Sequence, residues 1–160
     1  LTSAAVSALG AFSGEGDLIY FVDQDGESTA QSYSGKDLTD KPAIVLMDSG
    51  SASASEILAG AIRDNHAGTL VGTKTFGKGV VQSSLEFADG SGMKVTTARY
   101  YTPSGECIHE IGIEPDIEVE LDADAVTRYG INNLPHENDA QLQCAIAVLN
   151  GKTATESEAE

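Results

Sequence analysis

Apolar positions along the chain keep different rhythms, and each rhythm predicts a different kind of element. At the front, Leu1, Ala4, Ala5, Ala8 and Leu9 recur at helical spacing, which predicts a helix stopping near Gly10, with Gly14 and Gly16 in the loop beyond it. Leu18 to Val22 (LIYFV) is rich in branched and aromatic side chains and predicts a strand. Asp25-Gly26 is a turn signal, and Thr29 to Tyr33 predicts a more polar strand at a sheet edge. Ala43 to Met47 (AIVLM) does not alternate. An unbroken apolar run between Pro42 and Asp48-Ser49-Gly50 predicts a strand covered on both faces, as in a parallel sheet.

The clearest helix follows from about Ser53. Ala54, Ile57, Leu58, Ala61 and Ile62 form one apolar stripe, and Arg63, Asp64 and Asn65 end it in a polar turn. Leu70-Val71 predicts a short strand before Gly72. Val80 to Phe87 and Met93 to Tyr101 predict two longer strands joined by a hairpin loop over Ala88 to Gly92. Ile117 to Leu121 alternates apolar and acidic residues and predicts a half-exposed strand. Asp122 to Tyr129 predicts a short helix. Asp139 to Asn150 predicts a longer one with Leu142, Ala145, Ile146 and Leu149 on its buried face and Gly151 as its stop. Together these elements predict an α/β fold with a mixed sheet and flanking helices. Residues 1–151 are expected to form one folded domain, and the acidic segment 152–160 a disordered tail.

Composition changes this picture only at its margins. With 41% hydrophobic and 21% charged residues, the chain has the make-up of an ordinary folded domain. Twenty-five acidic against nine basic residues, net charge -16, argues against a nucleic-acid surface, which needs clustered Lys and Arg. No apolar run approaches the ~18 residues of a membrane span. Cys107 and Cys144 lack metal-ligand spacing and are expected to be thiols rather than a disulfide. The chain opens inside a helical pattern with no capping residue ahead of it, as an excised piece of a longer protein does.

Candidate chemistry concentrates between Ser49 and Gln82. Ser53 lies where an apolar strand turns into a helix, and the Ala54 amide falls at that helix's N-terminus, where unpaired N–H groups favour negative charge. Ser53 is therefore a candidate nucleophile and the Ala54 amide a candidate oxyanion donor. Ser53-Ala-Ser-Glu56 equally matches a capping box, a purely structural role. Lys78 can serve as general base to Ser53 if its amine is uncharged near neutral pH, far below the ~10.4 of a solvated lysine. Its neighbours Phe76, Gly77, Gly79, Val80 and Val81 predict an apolar, desolvated setting. On a strand, residues 78, 80 and 82 share a face, so Gln82 is placed to orient Lys78. A solvated lysine and an edge glutamine are the structural alternative.

Two other chemistries draw on the same stretch. Gly72 to Lys78 follows GxxxxGK, the phosphate-cradling loop, yet Gly79 stands where its Ser or Thr belongs and a strand pattern follows instead of a helix. A Ser-His-Asp triad could use His66, His109 or His136 with Asp48 or Asp64, but the contexts of these histidines predict surface positions.

GSASASEILAGAIRDN, VGTKTFGKGVVQ, ARYYTPSG and IGIEPDIEVEL, in that order, resemble the carboxyl-terminal processing peptidases (tail-specific proteases) across most of residues 18–151. The resemblance implies a ClpP/crotonase-like core and a Ser-Lys serine endopeptidase, with Ser53 as nucleophile, Lys78 as base and Gln82 as its partner. It also implies protein substrates cut near their C-termini, no metal or organic cofactor, and an extracytoplasmic setting. Family members carry an Asp-Leu-Arg-x-Asn-Pro-Gly-Gly segment that supplies a second oxyanion amide, and a PDZ domain, and neither motif occurs in these 160 residues. Little peptidase activity is therefore expected of this stretch alone. A scaffold domain that kept the fold and lost the chemistry is the non-enzyme alternative.

Overall fold

A computed structural model describes residues 2–36, 39 and 41–151. The segment 152–160, expected to be a tail, lies outside the described residues. Helix α1 (Thr2–Phe12) leads into an antiparallel pair, β1 (Glu15–Asp23) and β2 (Ser28–Ser34). Strand β3 (Ile44–Met47) is followed by α2 (Ala54–Asp64) and β4 (Thr69–Gly72). The hairpin β5 (Val80–Glu86) and β6 (Gly92–Tyr101) comes next, then β7 (Ile117–Glu118), α3 (Ala123–Tyr129) and α4 (Ala140–Leu149).

The fold is α/β, with its two strand directions sorted into separate sheets. One is antiparallel, in the order β2-β1-β6-β5, and the other is parallel, in the order β3-β4-β7. The parallel one needs crossovers, and α2 supplies that between β3 and β4. Helix α2 touches β1 of the first sheet, β4 of the second, and α1, so it is the wedge that joins the layers. Its stripe supplies Ile57, Ala61 and Ile62 to one continuous core with Leu9, Leu18, Ile19, Met47, Leu70, Tyr100, Ile108 and Ile113. Burying such a side chain is worth about 1.5–3 kcal/mol, which is why the stripe predicted this helix so well. Polar ties lock it further: Asn65, its C-cap, donates to the Asp17 and Ala61 carbonyls at 2.8 Å.

Several expectations need correction. Helix α1 continues through Gly10 to Phe12. Strand β3 stands at the edge of its sheet with Leu46 43% exposed, so its apolar run does not mean cover on both faces. The strand at Ile117 is two residues long rather than five, although its exposure still alternates through Leu121. Helix α4 is rotated from its expected face: Gln141, Cys144 and Ala145 are buried, while Ile146 and Leu149 are exposed. The reason is polar. Gln141 donates to the Val119 carbonyl at 2.9 Å and the Asp139 carboxylate caps the Leu142 amide, which together set the helix's roll. Cys107 and Cys144 are thiols, Cys144 on the buried face of α4.

Candidate active site

Ser53 occupies a strand-turn-helix junction between β3 and α2, and its backbone is held at φ +58°, ψ −115°. A residue with a Cβ is uncommon there, and the conformation costs on the order of 1–3 kcal/mol unless its surroundings impose it. Strain of this kind at a sharp strand-to-helix turn is how a nucleophilic hydroxyl is lifted clear of its own helix. Neither Ser51 nor Ser55 shares it.

The capping-box reading holds. Ser53 and Glu56 stand in the capping-box relation, and the Glu56 Oε2 accepts the Ser53 amide at 2.9 Å. The Glu56 amide in turn faces Ser53 and donates to its carbonyl at 3.0 Å. The glutamate also does far more than cap. Its side chain is fully buried, and its two oxygens take three further donors: the Thr75 hydroxyl at 2.7 Å, the Gly77 amide at 2.6 Å and the Lys78 amide at 2.9 Å. Buried charge is costly unless fully hydrogen-bonded, and here it is. One carboxylate thus ties the backbone of Ser53 to the backbone of Lys78.

Residues 73–79, between β4 and β5, form an extended strap beside the serine turn. The Phe76 amide donates to the Ser51 carbonyl at 3.0 Å, while Ser53 and Lys78 share Glu56, so the two segments run side by side in one direction. The strap's other flank is fixed to residues 108–113. Thr75 exchanges bonds with Ile113, at 3.1 Å and 2.7 Å, and the Gly77 carbonyl accepts the Glu110 amide at 2.8 Å. Tyr100, buried on β6, donates its hydroxyl to the Lys78 carbonyl and lies 3.5 Å from the Ser53 carbonyl. Burial, then the Glu56 charge, raises the Tyr100 phenol well above its ordinary value, with the Ser53 contact pulling the other way, so the hydroxyl keeps its proton and remains a donor.

One expectation for Lys78 fails in this structure. Its side chain is exposed rather than desolvated, because its neighbours Gly77 and Gly79 face inward and leave it on the open side. Strand β5 begins at Val80, and its register slips between Val81 and Gln82, opposite a bulge at Thr97. The extra residue of that bulge lies on β6 and leaves the alternation along β5 itself intact, and Gln82 is exposed, as Lys78 is. No hydrogen bond joins the Ser53 hydroxyl to the Lys78 amine; the pair is brought together through the main chain. Ala54 is the first residue of α2, where an amide has no partner within the helix.

The competing chemistries fare worse. The strap leads from Gly72 into a strand, not a helix, so no phosphate-cradling loop forms. Asp48 is engaged by the Gly50 amide and the Ser51 hydroxyl, and Asp64 by Arg63 and the Ser104 amide. His66 is exposed in a turn and His136 at the start of a short 3₁₀ helix, whereas His109 packs its backbone against Gly79 with Nδ1 buried. Sequence reasoning reads Glu56 only as one end of a cap and passes over Tyr100 altogether. A glutamate placed among the buried positions of an apolar helix was the available signal for the first, and nothing local marks the second.

Known proteins resemble this chain over most of its length. Residues 1–119 match the model of Peptidase family S41. The chain is 43% identical over 140 residues to the carboxyl-terminal-processing protease of Synechocystis sp., covering 88% of this chain and 32% of that one. It is 43% identical over 106 residues to the chloroplastic C-terminal processing peptidase of Tetradesmus obliquus, covering 66% and 23%. Among solved structures, the photosystem II D1 C-terminal processing protease superimposes with a TM-score of 0.70 at 39% identity, over 84% of this chain and 37% of that one. The chain thus spans about a third of the length of the first of these relatives. By sequence across most of its length, and by its overall fold, the chain belongs to Peptidase family S41.

Proposed function

We propose that the protein of this chain is a serine endopeptidase that cuts protein substrates near their C-termini, with Ser53 as nucleophile and Lys78 as general base. One observation carries this reading: Ser53 holds a strained backbone at a strand-helix turn while a single buried carboxylate fastens it to Lys78. The Ser53 oxygen attacks the scissile carbonyl carbon, and the Lys78 amine takes the hydroxyl proton and passes it to the leaving amine nitrogen. The Ala54 amide faces the oxyanion, with the macrodipole of α2 behind it. Water then releases the acyl group.

A general base must be uncharged and Lys78 is exposed, so the mechanism requires it to be stripped of water before it acts. A peptide lying along the open side of the strap supplies that desolvation. Gln82 is the group proposed to orient the amine once it is covered. Residues 1–151 are the catalytic portion and 152–160 an appendage. The C-terminal-processing names of the relatives support the substrate class, and the chloroplastic ones fit an extracytoplasmic setting.

The test compares the complete gene product with its Ser53→Ala and Lys78→Ala variants on an unfolded protein substrate at neutral pH. Losing the nucleophile or the base should cost on the order of 10⁴–10⁶-fold in rate. Wild-type activity in Lys78→Ala would remove the Ser-Lys pair, and an inert wild type would leave the catalytically silent scaffold as the better description.

A further inference from the structure

Exposure along the strap alternates residue by residue. Thr75, Gly77 and Gly79 are buried, while Phe76 and Lys78 are exposed. The closed side is packed without slack: a Cβ added at Gly79 would meet the His109 amide at 2.6 Å, and one added at Gly77 would meet the Gly112 amide at 2.9 Å. No side chain larger than hydrogen fits at those two positions, so the closed side carries only the Thr75 hydroxyl arm, and Phe76 and Lys78 project from the open side. Phe76 is 66% exposed, more than any other large apolar residue named among the described ones. Its backbone is nonetheless immobilised, with its own amide on Ser51 and its neighbours Thr75 and Gly77 on Glu56.

An aromatic ring on fixed backbone, presented to solvent beside a lysine, is a poor arrangement for stability and a good one for contact. We infer that Phe76 forms the wall of a substrate subsite that accepts an apolar side chain next to the scissile bond. This inference rests on the peptidase reading, since it places the ring on the side of the strap from which Lys78 must meet the peptide. A rigid aromatic loses little conformational entropy on binding, so contact with a substrate methyl or ring translates into selectivity. Covering Phe76 with an apolar side chain also excludes water from Lys78, two residues on, which couples substrate preference to activation of the base.

The test uses the complete gene product and two peptide series, one varying the residue before the cut and one the residue after it, each as Leu or Gly. For wild type, kcat/KM should favour Leu in one series. Phe76→Ala should lower the Leu value in that series by about tenfold or more and leave the Gly value within about twofold. Phe76→Leu should fall between them, and the thermal midpoint of both variants should stay at the wild-type value because the ring is exposed. An equal loss on all four peptides, an unchanged Leu-to-Gly ratio, or a lowered midpoint would overturn the inference while leaving Ser53 and Lys78 in place. A wild type that cuts no peptide would instead bring down the peptidase reading on which it stands.

Discussion

The strap at residues 73–79 and the hairpin that follows it are adjacent in sequence and opposite in construction. In the strap, backbone groups are taken up by Glu56, Ser51, Ile113 and Glu110, and one whole side is closed. Beyond Val81 the hairpin is held mainly by its own ladder, and Leu85, Phe87 and Met93 stand roughly half exposed. Both are extended chain with glycines at their ends, so local propensity does not explain the contrast. Tertiary hydrogen bonding does: the region that must place reacting atoms is over-determined, and the region that need not is left to its strand pairing.

Breaking that contrast at its centre should have the largest effect on the fold. Glu56→Gln keeps the shape but turns an amide NH₂ toward amide and hydroxyl donors, stranding at least one of them. A loss of about 3 kcal/mol or more is expected, with activity falling alongside, read by denaturant unfolding and by peptide cleavage. Next comes the strained serine. Ser53→Gly should be more stable than Ser53→Ala by about 1–3 kcal/mol, since glycine alone is at ease at φ +58°. Equal stability of the two would show that the turn stores no strain.

Acid should act at the far end of α2. There burial pushes the Asp64 carboxyl up, but the Thr102 hydroxyl, the Ser104 amide and Arg63 together hold it below its ordinary value. A carboxyl lowered in the folded state contributes stability above its unfolded value of ~3.9, and that contribution is lost as pH falls through the lowered one. Asp64→Asn should therefore flatten the stability loss below about pH 4, measured by unfolding across pH. Smallest of all, Leu85→Ser on the hairpin should change stability by no more than about 0.5 kcal/mol. A larger change would mean the hairpin is anchored after all.

Much of the frame was legible because periodicity reports burial directly. The α2 stripe, the β5–β6 hairpin and the edge strand β2 all follow from apolar spacing and turn residues. What escaped was set by polar contacts between segments distant in sequence. The roll of α4 follows Gln141 and Asp139 rather than its leucines. The open Lys78 and the register slip before Gln82 arise from inward-facing glycines and a bulge on the partner strand, which neighbours along the chain do not reveal. Ser53 was found as a turn residue, but its positive φ, which separates it from Ser51 and Ser55, exists only in three dimensions. Glu56 was seen as one end of a cap because its other three donors lie 19 to 22 residues away.

The shared Glu56 carboxylate has a dynamic corollary. Three amide protons, those of Ser53, Gly77 and Lys78, end on the same side chain, so none can reach solvent unless that side chain lets go. Their deuterium uptake should proceed through a single opening event with one common free energy, making the nucleophile's turn and the lysine's strap a single cooperative unit rather than two loops that fluctuate independently.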